Sequence, residues 1–230
     1  MRKKGPTILL FMETKLVVRE MEPIKYEQGF PSMLAVSSKV PCGGLALFWE
    51  SKVVVNMQTY SPHRIDAQVL TPSSPPWRLT GIHGHLEKQM KLKTWKLLRN
   101  LNTRSSLPWM CIGDYNEILT FEEKNGTNPR PLPSMLEFQS TLLFCGLIDL
   151  DYSGYLFTWQ NGRFRVAYVE ERLDSACASL GWSKLFPTKK VCHLIASFSD
   201  HDPILLDIAT STHTHRRRKK IQRFEEKWVT

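Results

Sequence analysis

Long apolar runs are missing from this 230-residue chain. None approaches the roughly 18 residues of a membrane-spanning helix, so no membrane span is expected. Cysteine is sparse: Cys42, Cys111, Cys145, Cys177 and Cys192 are the whole set. Their number is odd and no Cys-x-x-Cys pair occurs, which excludes a disulfide framework and a zinc ribbon. They read as reduced thiols, mostly core filler, in an intracellular protein. A secretory leader is not expected either. Arg2-Lys3-Lys4 before Ile8-Leu9-Leu10-Phe11-Met12 has the right order. The apolar part is shorter than the usual ~7–15 residues, however, and stops at Glu13. There is no internal repeat. What is present excludes global disorder: 42% hydrophobic and 10% aromatic residues suffice for a core.

Acidic residues are the minority charge, 22 against 31 Lys and Arg, for a formal charge of +9. The excess sits at the ends. Residues 211–230 carry seven Lys/Arg against two Glu, and residues 1–20 carry five against two. Residues 21–210 therefore hold only +1. Arg216-Arg217-Arg218-Lys219-Lys220 follows the polar stretch Thr210-Ser211-Thr212-His213-Thr214-His215. It reads as a tail that binds a polyanion or serves as a nuclear address; the alternative is a solvated tail without a partner. The chain divides into a body over residues 1–209 and a basic tail over 210–230.

Short apolar runs, partly β-branched or aromatic, predict strands over 7–13, 33–37, 44–49, 53–60, 64–70 and 77–82. Thr71-Pro72-Ser73-Ser74-Pro75-Pro76 predicts a loop. Leu86, Met90, Leu97 and Leu101 share one face of a helix over 86–102, with Lys88, Lys91 and Lys96 largely elsewhere. Trp109-Met110-Cys111-Ile112 is a buried strand ending at Gly113-Asp114. A loop covers 122–133. Ser134-x-x-Glu137 then forms a capping box for a second helix striped by Met135, Phe138 and Leu142 and stopped by Gly146. Phe157-Thr158-Trp159, a turn at Asn161-Gly162, Leu173-Asp174, and strands over 191–195 and 203–208 complete the order. Strands, helix, strand, helix, strands indicate a layered α/β architecture.

Several of these strands end in an acid: Glu13, Asp114, Asp174 and Asp200. One such residue alone is ordinarily a solvated loop acid. Several with Asn116 and His201 beside them form a set, because carboxylates at strand ends converge on one rim and offer oxygen ligands to a metal.

In order, Met12-Glu13-Thr14-Lys15, Gly113-Asp114-Tyr115-Asn116-Glu117, Glu171-Arg172-Leu173-Asp174 and Ser199-Asp200-His201-Asp202-Pro203 resemble the motifs of the endonuclease/exonuclease/phosphatase family. Within it the chain looks like the endonuclease domain of plant LINE-type non-LTR retrotransposons. Gly44-Leu45-Ala46-Leu47-Phe48-Trp49, Trp77-Arg78-Leu79-Thr80-Gly81, Pro108-Trp109, Cys145-Gly146-Leu147-Ile148-Asp149-Leu150, Phe157-Thr158-Trp159 and Arg223-Phe224-Glu225-Glu226-Lys227-Trp228 extend the likeness over nearly the whole chain. The resemblance implies a deoxyribonuclease-like four-layer α/β sandwich, two packed mixed β-sheets flanked by helices. It implies hydrolysis of DNA phosphodiester bonds with Mg²⁺, or Mn²⁺ in its place. Glu13 and Asp200 are then the metal side of the site. Asp114 positions or deprotonates the attacking water, Asn116 orients that water or the phosphate, and His201, fixed and charged by Asp174, contacts the scissile phosphate.

Two departures from the family pattern stand out. The family opens with a strand carrying a Trp-Asn-x-Arg-Gly type motif and then a helix; this chain begins just before the Glu13 strand, so the sandwich is expected to lack its first strand and helix. Where the family usually has a phosphate-binding Tyr, this chain has His83. His83-x-His85 without a third ligand is a weak metal motif. Two other readings stay open: a nucleic-acid-binding remnant without turnover, and a phosphatase for a small phosphorylated substrate.

Overall fold

The computed structural model describes residues 5–37, 43–162, 168–196 and 199–208. The chain runs β1 (Ile8–Met12), α1 (Val18–Glu27), β2 (Ser32–Val36), β3 (Leu45–Trp49), β4 (Val54–Ser61), β5 (Arg64–Thr71), β6 (Ser74–His83), α2 (Lys91–Asn102) and β7 (Trp109–Asp114). It continues through β8 (Lys124–Asn125), α3 (Leu132–Cys145), β9 (Leu147–Asp149), β10 (Tyr152–Ser153), β11 (Trp159–Gln160), β12 (Glu170–Glu171), β13 (Asp174–Ser179), α4 (Leu180–Leu185), β14 (Lys190–His193) and β15 (Ile204–Asp207). No helix among the described residues is long and apolar enough to cross a membrane.

The frame is a six-stranded sheet ordered β4-β5-β6-β7-β13-β9, antiparallel except for the β6–β7 pair. Two three-stranded sheets, β1-β3-β2 and β10-β14-β15, pack on one of its faces. The period of two along each strand explains the layering. Leu45 and Leu47 of β3 and Ile8, Leu10 and Met12 of β1 point to a core shared with Ile65, Val69, Leu79, Met110 and Ala176 of the large sheet. The intervening Ala46, Phe48, Leu9 and Phe11 point the other way, onto Met21 and Ile24 of α1. That is why Leu45-Ala46-Leu47-Phe48 is apolar without alternation: both faces are covered. The opposite face of the large sheet presents Ile82, Trp109, Cys111 and Cys177 to Trp95, Leu98 and Leu101 of α2 and Phe138 and Leu142 of α3. The order is therefore helices, sheet, sheets, helix: a four-layer α/β sandwich. The second layer comes as two separate sheets that cover the same core, with β1 and β15 each at an edge.

A buried network ties α2 to the sheet. Arg78 Nε and Nη2 donate to Asp66 Oδ1 and Oδ2 at 2.7 and 2.9 Å, and Arg78 Nη1 donates to the Leu101 carbonyl at 2.6 Å. Thr80 Oγ1 donates to Asp66 Oδ1, and Trp109 Nε1 donates to Thr80 Oγ1.

Some local expectations change. The helix over 86–102 begins only at Lys91; Leu86 precedes it, exposed, while Lys91 is buried. Trp95 and Leu98, rather than Leu86 and Met90, carry the packing stripe. The loop over 71–76 is a tight turn, since Thr71 pairs with Ser74 and Pro75 and Pro76 lie at the start of β6. Ser134 is not an N-cap: α3 starts two residues earlier behind Pro131, and Ser134 Oγ donates to the Glu117 carboxylate instead. Met135, Phe138 and Leu142 are buried, and Gly146 closes the helix in the left-handed conformation at φ 61°. Helix α1 has no counterpart among the elements expected from sequence. Pro23 lies inside it and argues against a helix interior, but burial of Met21 and the packing of Ile24 override it. Cys111, Cys145, Cys177 and Cys192 are free thiols. Cys42 and the basic tail over 210–230 lie outside the described residues.

Candidate active site

Register builds the site. In the parallel β6–β7 pair His83 is the partner of Asp114, and in the antiparallel β7–β13 pair Asp114 is the partner of Asp174. The three side chains form one row across the middle of the large sheet, where β6 and β7 end and β13 begins. All three are buried. The row sits where it does because Gly113, with a φ of 143°, lies against the Ile82 carbonyl of the adjacent strand.

Glu13 enters this row from the other sheet, at the end of β1. Met12 Sδ, one residue before it, accepts the Asp114 amide at 3.3 Å and holds the two layers together at this point. Glu13 takes a left-handed φ of 51°, unusual for a non-glycine residue. The following turn is held by the Thr14 and Lys15 amides on the Gly44 and Gly43 carbonyls. Glu13 Oε1 lies 3.2 Å from His83 Nε2, with 44% of the Glu13 side chain open to solvent. His83 Nε2 is 3.9 Å from Asp114 Oδ2. Burial lowers the His83 pKa despite the charge of Glu13. The neutral ring therefore carries its proton on Nε2 toward Glu13, leaving Nδ1 buried without a partner among the described residues.

Asn116 crosses back onto Asp114. Its backbone N–H donates to Asp114 Oδ1 at 2.7 Å, and its Nδ2 donates to Asp114 Oδ2 at 2.9 Å and to the Gly84 carbonyl at 2.9 Å. Burial, and next the charge of Asp174, push the Asp114 carboxyl up to about 8, although His201 opposes the shift.

His201 Nδ1 lies 2.8 Å from Asp174 Oδ2. Burial by itself lowers the His201 pKa; the hydrogen bond it donates to Asp174 and the charge of Asp174 outweigh burial and raise it to about 9. The imidazolium is thus retained at neutral pH, with Nε2–H as its remaining donor. Thr158 organises this half of the site. Its Oγ1 accepts the Leu173 and Asp174 amides at 3.1 and 3.0 Å, and its carbonyl accepts the Asp202 amide at 2.7 Å. Trp159 bridges to His201, and its Nε1 donates to Asp200 Oδ2 at 3.2 Å. Asp200 is exposed at the mouth of a cleft lined also by Trp159, Gln160, Asn161 and Gly162. Asp202 turns away from this chemistry and caps its own loop by accepting the Ala196 amide at 2.8 Å.

The structure thus gathers Glu13, His83, Asp114 and Asn116 into one contiguous set and Asp174 with His201 into an adjoining pair, with Asp200 beside that pair. No three His, Cys, Asp or Glu side chains among the described residues close into a metal cage. The pairing of His83 with His85 as ligands finds no support. His85 packs against His63 instead, with ring centroids 3.8 Å apart. Oxygen donors of the kind a hard divalent cation takes are the half-open Glu13 carboxylate, next to His83 and Asp114, and the exposed Asp200. Thr158 and Met12 appear in the sequence only as members of the Phe157-Thr158-Trp159 and Met12-Glu13-Thr14-Lys15 motifs, and His63 carries no sequence signal.

No family model matches the sequence, and no curated protein matches it. Solved structures do. The chain shares a TM-score of 0.64 and 18% identity with the 3′-5′ exonuclease NExo of Neisseria meningitidis, covering 89% of this chain and 90% of that one. With the endonuclease domain of TRAS1, a telomere-specific non-LTR retrotransposon, the values are 0.64, 15%, 90% and 100%. With an AP endonuclease of Archaeoglobus fulgidus they are 0.65, 14%, 89% and 90%. The chain has the endonuclease/exonuclease/phosphatase fold. Likeness at this identity extends to the backbone. The site described above is at the rim of that fold, on the central strands β6, β7 and β13.

Proposed function

We propose that this chain is a Mg²⁺-dependent phosphodiesterase that nicks DNA, the endonuclease domain of a LINE-type retrotransposon working inside the cell and in the nucleus. The observation that carries the reading is the buried row His83–Asp114–Asp174, closed by His201 on one side and Glu13 on the other. Support of a coarser kind comes from the fold, which NExo, described in complex with a product DNA hairpin, also has.

Each residue then has a task that its surroundings suit. Glu13 and Asp200 would hold Mg²⁺, which supplies Lewis-acid polarisation of the phosphate and neutralises charge on the leaving oxygen. Asp114, clamped at both oxygens by Asn116, positions the attacking water and, in its ionised form, takes its proton at one carboxylate oxygen. His201, kept cationic by Asp174, donates Nε2–H to a phosphate oxygen as negative charge grows there. His83 occupies the place of a phosphate-contacting hydroxyl and presents a neutral N–H donor that Glu13 orients.

Supercoiled plasmid nicking tests this. Cleavage is expected with Mg²⁺ or Mn²⁺ and is expected to stop with a chelator. Asp114→Asn and His201→Ala should each slow it by roughly 10²–10⁴-fold, the usual worth of a positioned acid or base. DNA binding without nicking by the wild-type chain would instead support the non-catalytic reading.

A further inference from the structure

Asn116 sits at a φ of 54°, a left-handed setting that asparagine tolerates better than other non-glycine residues and that neighbouring contacts fix in place. Its side chain and its N–H both serve Asp114. Its carbonyl is the third handle, and two cations meet on it. Lys91 Nζ donates to this oxygen at 2.5 Å and Arg130 Nη1 at 3.3 Å. We infer that Lys91 and Arg130 are positioning residues that lock the Asn116 peptide, and through it the Asp114 carboxylate, for the reaction.

Both cations are anchored from elsewhere in the fold. Lys91, the first residue of α2, also donates to Glu117 Oε2 at 2.8 Å. The Glu117 carboxylate is fully buried and accepts the Ser134 hydroxyl of α3 as well. Arg130 forks onto Glu171 of β12, with Nε to Oε1 at 2.9 Å and Nη2 to Oε2 at 2.5 Å. Two helices and a strand thus converge on one peptide group. Stability alone does not call for such a cluster, because apolar residues of similar volume often replace buried ion pairs without loss. What they cannot replace is a pair of fixed donors on the Asn116 carbonyl.

This inference rests on the nuclease reading for its kinetic arm only. Removing Lys91 alone would strand the buried Glu117 charge and threaten folding, so the main variant is Lys91→Met/Glu117→Gln, with Lys91→Arg as the conservative rescue. Three quantities are read on the full chain: the melting temperature, hydrogen exchange of the Asn116 amide, and kcat and KM for cleavage of a DNA duplex. The double variant should melt within a few degrees of wild type. Its Asn116 amide should exchange roughly tenfold faster or more while core amides do not change, since only this local opening is eased. Its kcat should drop roughly 10–100-fold, as a misplacement of about an ångström does, with KM little changed. Lys91→Arg should recover most of both. Unaltered Asn116 exchange in a folded variant overturns the inference. So does exchange that quickens evenly over the whole core, or faster Asn116 exchange with kcat intact. If the wild-type chain does not cleave DNA, the nuclease reading fails, and the exchange result alone decides whether Lys91 locks Asn116.

Discussion

Replacing Gly113 by alanine drives a methyl group into the seam between β6 and β7. A Cβ at this position would lie 2.1 Å from the Ile82 carbonyl oxygen and 3.0 Å from Met12 Sδ. A carbon–oxygen contact settles near ~3.3 Å, so the two strands must part by about an ångström at the pair next to His83 and Asp114. Strain of the φ of 143° costs about 1–3 kcal/mol for a side chain, and overpacking adds about 1–3 kcal/mol. The total is a large part of an ordinary stability of about 5–15 kcal/mol. At about 2–4 °C per kcal/mol for a chain of this size, the melting temperature should fall by roughly 5–20 °C. If the protein is a nuclease, cleavage should fall about 10²-fold, because the distance from His83 to Asp114 is set at this seam. Gly146→Ala is the control. That glycine also has a positive φ, 61°, but a Cβ there meets nothing within 4 Å, so only about 1 kcal/mol is at stake. Thermal melts of the two variants, followed by circular dichroism, check the reasoning. Equal melting temperatures for Gly113→Ala and Gly146→Ala would refute it, since the steric wall and the more strained φ at Gly113 are the difference between them.

Asp66→Ala should destabilise the protein by about 3–5 kcal/mol in urea titrations, because it strands the buried Arg78 guanidinium; Asp66→Leu/Arg78→Met should recover much of that, and equal losses in both would contradict the account. His201 should titrate near 9 by NMR, and in Asp174→Asn its pKa should fall, since only the weaker charges of Asp114 and Asp200 then oppose burial. A histidine pKa raised by folding adds stability in full below about 6.5, and that contribution is lost as pH rises through about 9; melts from pH 6 to 10 should show a larger loss in the wild type than in Asp174→Asn. Thr158→Val should cost about 1–3 kcal/mol by leaving the Leu173 and Asp174 amides without their acceptor, and Thr158→Ser should restore stability; a neutral Thr158→Val would show that those amides find another partner.

Patterns of short range were legible in the chain. Leu45-Ala46-Leu47-Phe48-Trp49 announces a strand, and it lies between two cores. Met135, Phe138 and Leu142, followed by Gly146, announce a helix and its end, because side-chain period and left-handed tolerance are local properties. The acids at strand ends were visible as a set, and the structure brings Glu13, His83, Asp114 and Asn116 together, with Asp174 against His201.

Tertiary structure decided the rest, for reasons of range. That His83, Asp114 and Asp174 share one row follows from the registers of β6, β7 and β13, which are set by packing between segments far apart in sequence. Lys91 reads as a solvent-facing helix residue until the Asn116 carbonyl and Glu117 are brought to it. Ser134 has the spacing of a helix cap, but a buried carboxylate competes for its hydroxyl and wins. Helix α1 forms across Pro23 because the outer face of β1 and β3 needs cover. Local sequence specifies which residues can do chemistry; the long-range contacts determine which of them meet and which way they are held.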